Sequence, residues 1–168
     1  NANCILLEIL EDMNQEPIVR HEAAEALGAI GSKEMQDILK KYINDPVREV
    51  RETCDLSLNR INWLENKENV LSKNPYNSVD PAPPHVISDV NELKKILLDD
   101  NETLFNRYRA MFSLRNMRTE QSLLVVCEGL KYGGALFKHE IAFVLGQLQE
   151  EASVPFLIES LKDLNENE

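Results

Sequence analysis

Two His-Glu dipeptides, His21-Glu22 and His139-Glu140, sit in the same slot of a repeated segment. The segments run from Ile18 to Ile30 and from Leu136 to Leu148, and in each a Leu (Leu27, Leu145) and then a Gly (Gly28, Gly146) follow the His at the same spacing. The apolar positions also coincide: Val19, Ala23, Ala26, Leu27 and Ile30 against Phe137, Ile141, Val144, Leu145 and Leu148. On a helical wheel these fall within about 100° of arc. His21 and His139 then point away from that seam, each with its Glu about 100° round. An imidazole and a carboxylate held side by side off the packing face are metal ligands or acid–base groups. One pair supplies two ligands, and a first-row metal site generally takes about three or more from the protein. Brought together, His21, Glu22, His139 and Glu140 would form a mixed N/O set suited to iron or manganese, of the kind found on facing helices and in non-haem iron oxygen chemistry.

The elements that must position these pairs are helices. Helical periodicity predicts them near 3–11, 17–30, 33–43, 46–63, 88–98, 103–117, 119–131, 135–148 and 151–163, with Pro17, Gly31-Ser32, Asp45-Pro46, Asp99-Asp100-Asn101, Arg118-Thr119 and Gly133-Gly134 as breaks. Ser32 with Glu34, and Thr119 with Gln121-Ser122, are expected N-terminal caps. Between the two periodic regions lie Pro75, Pro81, Pro83 and Pro84, which cannot continue a helix. Residues 1–64 and 88–168 therefore read as two helical halves, with 65–87 an extended linker anchored by Trp63 and Tyr76. The pattern around His21 recurs around Glu52, and that around His139 recurs around Tyr108, each displaced by 31 residues. Two helices per such period is the signature of an all-α solenoid of short HEAT-like hairpins. Leu27 and Leu145 are then expected to be buried, and His21 and His139 open to the concave side. The slots before His21 and after His139 fall beyond the chain's ends, so it reads as a truncated piece of a longer protein.

Charge and composition narrow the partners. A net charge of −11 disfavours nucleic acid, whose phosphates call for Lys and Arg, and suits a basic protein partner. No run of roughly 18 apolar residues is present, so no membrane span is expected. Cys4, Cys54 and Cys127 are scattered and read as reduced, mostly buried thiols of a cytoplasmic protein. His85, in the Pro-rich stretch, is expected to be a solvated loop residue. Glu25, four residues after His21, is either a surface group or an orienter of that ring. Gly133-Gly134 lacks the Lys-Ser/Thr that would make it a phosphate loop, and no Ser-His-Asp or Cys-His arrangement is legible.

Arg20–Ile30, Asn74–Pro84, Tyr108–Asn116 and His139–Gln147 together resemble the deoxyhypusine hydroxylase family along the length of the chain. That resemblance implies a HEAT-like helical dyad with a di-iron centre, and O2-dependent hydroxylation of the deoxyhypusine side chain on eukaryotic translation initiation factor 5A. It implies that His21, His139 and Glu140 are iron ligands, and that Glu22 contacts the amines of the substrate. The family carries four His-Glu pairs and this chain two, so half of the ligand set lies outside it. The competing readings are a non-catalytic HEAT-repeat scaffold that binds a partner protein and a HEAT-like chromophore lyase; the Asn74–Pro84 stretch favours the hydroxylase over the lyase. Apolar residues at the two ends, Ile5, Leu6 and Ile9 with Phe156, Leu157 and Leu161, point to association of two copies into a homodimer.

Overall fold

Proline opens two of the helices and polar side chains open three others. The structure, a computed structural model, describes residues 2–66, 69 and 74–164, and among these the regular structure is all helical. In chain order the helices are α1 (Ala2–Glu11), α2 (Pro17–Ile30), α3 (Gln36–Tyr42), α4 (Arg48–Glu65), α5 (Val90–Leu98), α6 (Leu104–Met117), α7 (Glu120–Glu128), α8 (Ala135–Leu148) and α9 (Val154–Lys162). Three single 3-10 turns, Lys33–Met35, Gly129–Lys131 and Glu151–Ser153, flank α3, α7 and α9. The expected helices at 33–43, 119–131 and 151–163 are thus each a helix with a tightened end, the usual place for such turns.

Pro17 and Pro155 occupy first-turn positions, where a missing N–H costs nothing. Asp89 accepts the N–H groups of Asn91 and Glu92, and Thr103 that of Asn106. Thr119 and Ser122 form a reciprocal capping box, as expected. Ser32 does not cap; its hydroxyl instead accepts from Asn3 Nδ2 at 3.0 Å. The C-terminal caps of α2, α6 and α8 fall in one slot of the repeat and are all left-handed: Gly31, Arg118 and Gln149, with φ of 72°, 52° and 54°.

The chain forms two compact units, Asn1–Leu71 with Val79–Ala82, and Ser72–Ser78 with Pro83–Glu168. In the first, Leu10, Ala23, Ala24, Leu27, Leu39, Val50, Cys54 and Ile61 form the core. Helices α2 and α4 pack one repeat apart in register. Ser57 Oγ donates to the Ala24 carbonyl at 2.9 Å, and Arg60 Nη1 to the Gly28 carbonyl at 2.8 Å. Gly28 is required by this approach, since a Cβ there would lie 2.9 Å from the Ser57 Cα. Arg20 ties the unit together: Nε donates to the Leu10 carbonyl at 2.9 Å, and Nη1 and Nη2 grip Asp45 at 3.2 and 2.6 Å. Both side chains of the pair are almost fully buried.

The second unit repeats this device. Arg107 Nε donates to the Leu97 carbonyl at 2.9 Å and Nη1 to Asp100 at 2.8 Å, with the guanidinium stacked 4.1 Å from the Phe137 ring. The Asn74-Pro75-Tyr76 stretch is an Asx turn, with Tyr76 N–H donating to Asn74 Oδ1 at 2.8 Å. It seats the Tyr76 ring 4.7 Å from the buried Arg115 guanidinium, which also donates to Gln147 at 2.9 Å. Tyr76 thus anchors the linker as expected. Leu27 and Leu145 are both buried. Val19 and Ile30 depart from the expected seam: they are exposed, whereas their counterparts Phe137 and Leu148 are buried. Phe137 lies against Tyr108 of the preceding repeat, with ring centroids 5.9 Å apart, and α2 has no helix of a preceding repeat on that side among the described residues.

Two stability measurements check this packing. Gly28→Ala, which drives a methyl into Ser57, should destabilise the chain by about 1–3 kcal/mol, whereas the repeat-equivalent Gly146→Ala, with nothing within 4 Å of the new methyl, should stabilise it by about 0.5–1 kcal/mol. Asp45→Ala should cost about 3–5 kcal/mol, because Arg20 is left buried and unpaired. Burial disfavours the Asp45 carboxylate, but the hydrogen bonds from Arg20 and Val47 N–H and the charges of Arg20 and Arg51 outweigh it and hold its pKa below the ordinary value. Its contribution should therefore be complete above about pH 4 and be lost as the pH falls through the lowered folded value, an acid limb in urea titrations that Asp45→Asn should lack.

Candidate metal centre

Helices α2 and α8 present the two His-Glu pairs, and the structure gives them opposite burial. His21 is buried and Glu22 exposed, whereas His139 is exposed and Glu140 buried. The expectation that both histidines stand open is corrected for His21. The reason lies in the repeat register. The His position faces the following repeat: α4 covers it in α2, and Thr53 Oγ1 meets His21 Nδ1 at 2.7 Å, 32 residues on. The Glu position, one residue later, faces the preceding repeat, as Thr53 in α4 faces α2. Glu140 lies the same 32 residues beyond buried Tyr108 of α6 and is likewise covered. Glu22 and His139 are the members of the two pairs that face no helix among the described residues.

The geometry of the first pair is defined. His21 Nε2 lies 3.6 Å from Glu22 Oε1, so the nitrogen not engaged by Thr53 is the one beside the carboxylate. That is too long for a hydrogen bond and leaves an imidazole nitrogen and a carboxylate oxygen side by side. Glu25 is half-buried, and burial first, then the charge of Glu22, raises its carboxyl pKa. The orienter of the His21 ring at Nδ1 is Thr53, a residue that sequence reasoning passed over. The signal was present: Thr53 is the buried polar side chain one repeat on from the His slot.

His85 is not a solvated loop residue. It is half-buried along α6, with its N–H donating to Ser113 Oγ at 2.7 Å and its carbonyl accepting from the same hydroxyl at 3.1 Å. Its Nδ1 accepts from Ile87 N–H at 3.1 Å, which places the ring proton on Nε2. Desolvation, then the charge of Arg109, lowers its pKa. The imidazole is thus used internally to fasten the Pro-rich stretch.

Among the described residues no group of three or more His, Cys, Asp and Glu side chains is gathered in a metal-binding arrangement. The donor types of the pairs, imidazole nitrogen and carboxylate oxygen, fit a first-row metal such as iron. Each pair is a partial ligand set that needs further donors to close a shell. Two of the three thiols are buried, which pushes Cys54 up to about 12 and Cys127 up to about 11, so both stay protonated at neutral pH; Cys4 is exposed. No helix among the described residues is long and apolar enough to cross a membrane.

Comparison with known proteins bears on the family. Residues 4–70 match the model of HEAT repeats, and residues 137–163 that of the PBS lyase HEAT-like repeat. Deoxyhypusine hydroxylase of Drosophila melanogaster is 58% identical over 165 residues, covering 98% of this chain and 55% of the relative. The human hydroxylase is 53% identical over 163 residues, covering 97% of this chain and 54% of its own length. A solved structure of human deoxyhypusine hydroxylase in complex with glycerol superposes with a TM-score of 0.93 at 52% identity, covering 98% of this chain and 57% of that one. Along nearly its whole length the chain is similar to deoxyhypusine hydroxylases. It spans about half the length of the relatives it matches. The HEAT-like all-α architecture read from the 31-residue period is that of the matched structure, and the lyase reading is set aside, the lyase-named model matching one hairpin only.

The unequal burial of the pairs has a direct consequence for stability. His21→Ala should lower stability by about 1–3 kcal/mol, because it removes a buried ring and leaves the Thr53 hydroxyl without that partner. His139→Ala should change it by less than about 0.5 kcal/mol. Thermal melts of the two variants measure the difference, and equal losses would contradict the burial described.

Proposed function

We propose that the protein containing this chain hydroxylates the deoxyhypusine side chain of eukaryotic translation initiation factor 5A in the cytoplasm. In this reading iron is held in part by His21, His139 and Glu140, and Glu22 receives the substrate's amines. The observation that carries it is the 58% identity to a deoxyhypusine hydroxylase over 98% of this chain, a span that takes in both His-Glu pairs. Bound iron would supply the activation of O2 needed to attack an unactivated C–H bond. The chain's own residues do the rest. His21 and His139 each offer one imidazole nitrogen, and Glu140, shielded beside α6, offers a carboxylate that water screens little. Glu22, with 63% of its side chain exposed, is free to draw in a cationic amine, and the net charge of −11 favours the approach of a basic segment. Residues 1–64 and 88–168 would be parts of two HEAT-like halves joined by 65–87, with the remaining ligands supplied from outside this stretch.

Iron analysis with a hydroxylation assay on deoxyhypusine-bearing factor tests the reading. In the whole protein His21→Ala, His139→Ala and Glu140→Ala should each lose iron and activity together. Glu22→Gln should keep iron and raise KM by about tenfold, the loss of one charge-assisted contact of about 1.4 kcal/mol. His85→Ala should keep both. Wild-type iron content in either histidine variant would show that the pairs are not ligands, and an iron-free wild type that still binds the factor would establish the scaffold reading instead.

A further inference from the structure

We infer that Thr53 is a positioning residue for the metal ligand His21, an inference that rests on the ligand role proposed above. The Thr53 side chain enters from α4, one repeat beyond α2, and its Oγ1 lies 2.7 Å from His21 Nδ1. Both residues are buried, His21 4% and Thr53 2% exposed, so the contact is shielded from competing water. With Nδ1 held there, the ring turns Nε2 toward Glu22 Oε1, 3.6 Å away. A histidine that coordinates through Nε2 must carry its proton on Nδ1, and a buried N–H needs an acceptor. The Thr53 hydroxyl oxygen is that acceptor. It does what a carboxylate or carbonyl does behind many metal-bound histidines: it selects the tautomer and stops rotation of the ring. The α2–α4 register makes the placement rigid, because Ser57 to the Ala24 carbonyl and Arg60 to the Gly28 carbonyl fix the same two helices further along. The inter-repeat seam thus serves as the support behind the ligand, and a single hydroxyl links repeat packing to metal affinity.

The test uses Thr53→Val, which removes the hydroxyl at nearly constant shape, Thr53→Ala, which removes it without adding a methyl should valine disturb the seam, and Thr53→Ser, which restores it. Binding of Fe(II) under anaerobic conditions is measured with histidine-15N nuclear magnetic resonance on the same samples, using the whole protein. Wild type should show His21 coordinated through Nε2 with the proton on Nδ1. Valine and alanine should weaken Fe(II) binding about 10–100-fold and shift the His21 Nδ1 resonance even without metal, and serine should restore both. Equal Fe(II) affinity in wild type and the folded hydroxyl-free variants, an unmoved Nδ1 resonance, or coordination through Nδ1 would overturn the inference while leaving His21 a ligand. A wild type that takes up no Fe(II) would overturn the ligand role itself, and the inference with it.

Discussion

A helix in a solenoid has no core of its own, and its side chains are covered by its hairpin partner and by the helices one repeat before and one repeat after. That constraint decides more of this chain than any single bond. It puts Thr53 on His21, Ser57 on the backbone at Ala24, Arg60 on Gly28 and Gln147 on Arg115, every one a step of 32 or 33 residues. It also sets which residues are left open. Val19 and Glu22 face backward along the solenoid and are exposed; Phe137 and Glu140, the same positions in α8, face backward onto α6 and are buried. His21 faces forward onto α4 and is buried, whereas His139 and Gly146 face forward to open space. Sequence identity at a slot therefore does not fix environment.

Within each hairpin a second constraint operates. The last carbonyls of a helix need donors, and the loop that follows must be held against the next helix. Arg20 and Arg107 meet both needs in the same way, each Nε reaching a carbonyl ten residues back, at Leu10 and Leu97. The two differ in their acid. Asp45 comes from the loop of the next hairpin and is buried, so Arg20 joins two hairpins. Asp100 comes from the same loop and is 61% exposed, so Arg107 closes one hairpin and draws further support from the Phe137 ring. Removal of the Asp45 carboxylate would strand a buried cation; Arg107 is also buried, and in its pair only the acid, Asp100, is open to water.

Much of this was legible in the chain itself. The helices and the solenoid class follow from apolar spacing, prolines and the 31-residue period, because those signals are local or periodic; the expected linker at 65–87 lies partly outside the described residues. The His-Glu slots were legible for the same reason. What escaped were properties that depend on the neighbouring repeat. The burial of His21 depends on α4, and the exposure of Val19 on the helices beside α2; neither is written in the thirteen residues from Ile18 to Ile30. Ser32 looked like a cap by residue type, but Asn3, 29 residues away, claims its hydroxyl. His85 looked like a loop residue among prolines, yet Ser113 and Arg109 on α6 draw that segment down onto the helix through its backbone.

The opposite burial of the two pairs bears on how a metal centre can be built on such a scaffold. A ligand must be held within a few tenths of an ångström to bind tightly, and an exposed side chain on a helix surface keeps its rotamer freedom. In this chain the seam between α2 and α4 immobilises an imidazole, His21, and the seam between α6 and α8 immobilises a carboxylate, Glu140. Each seam thus immobilises one member of a pair, and its sequence neighbour, Glu22 or His139, is exposed on the same helix. A repeat can fix both members of a pair only when it is covered from before and from behind. Rigidity of a side chain at a His-Glu slot in this fold is therefore a property of consecutive repeats rather than of the dipeptide itself.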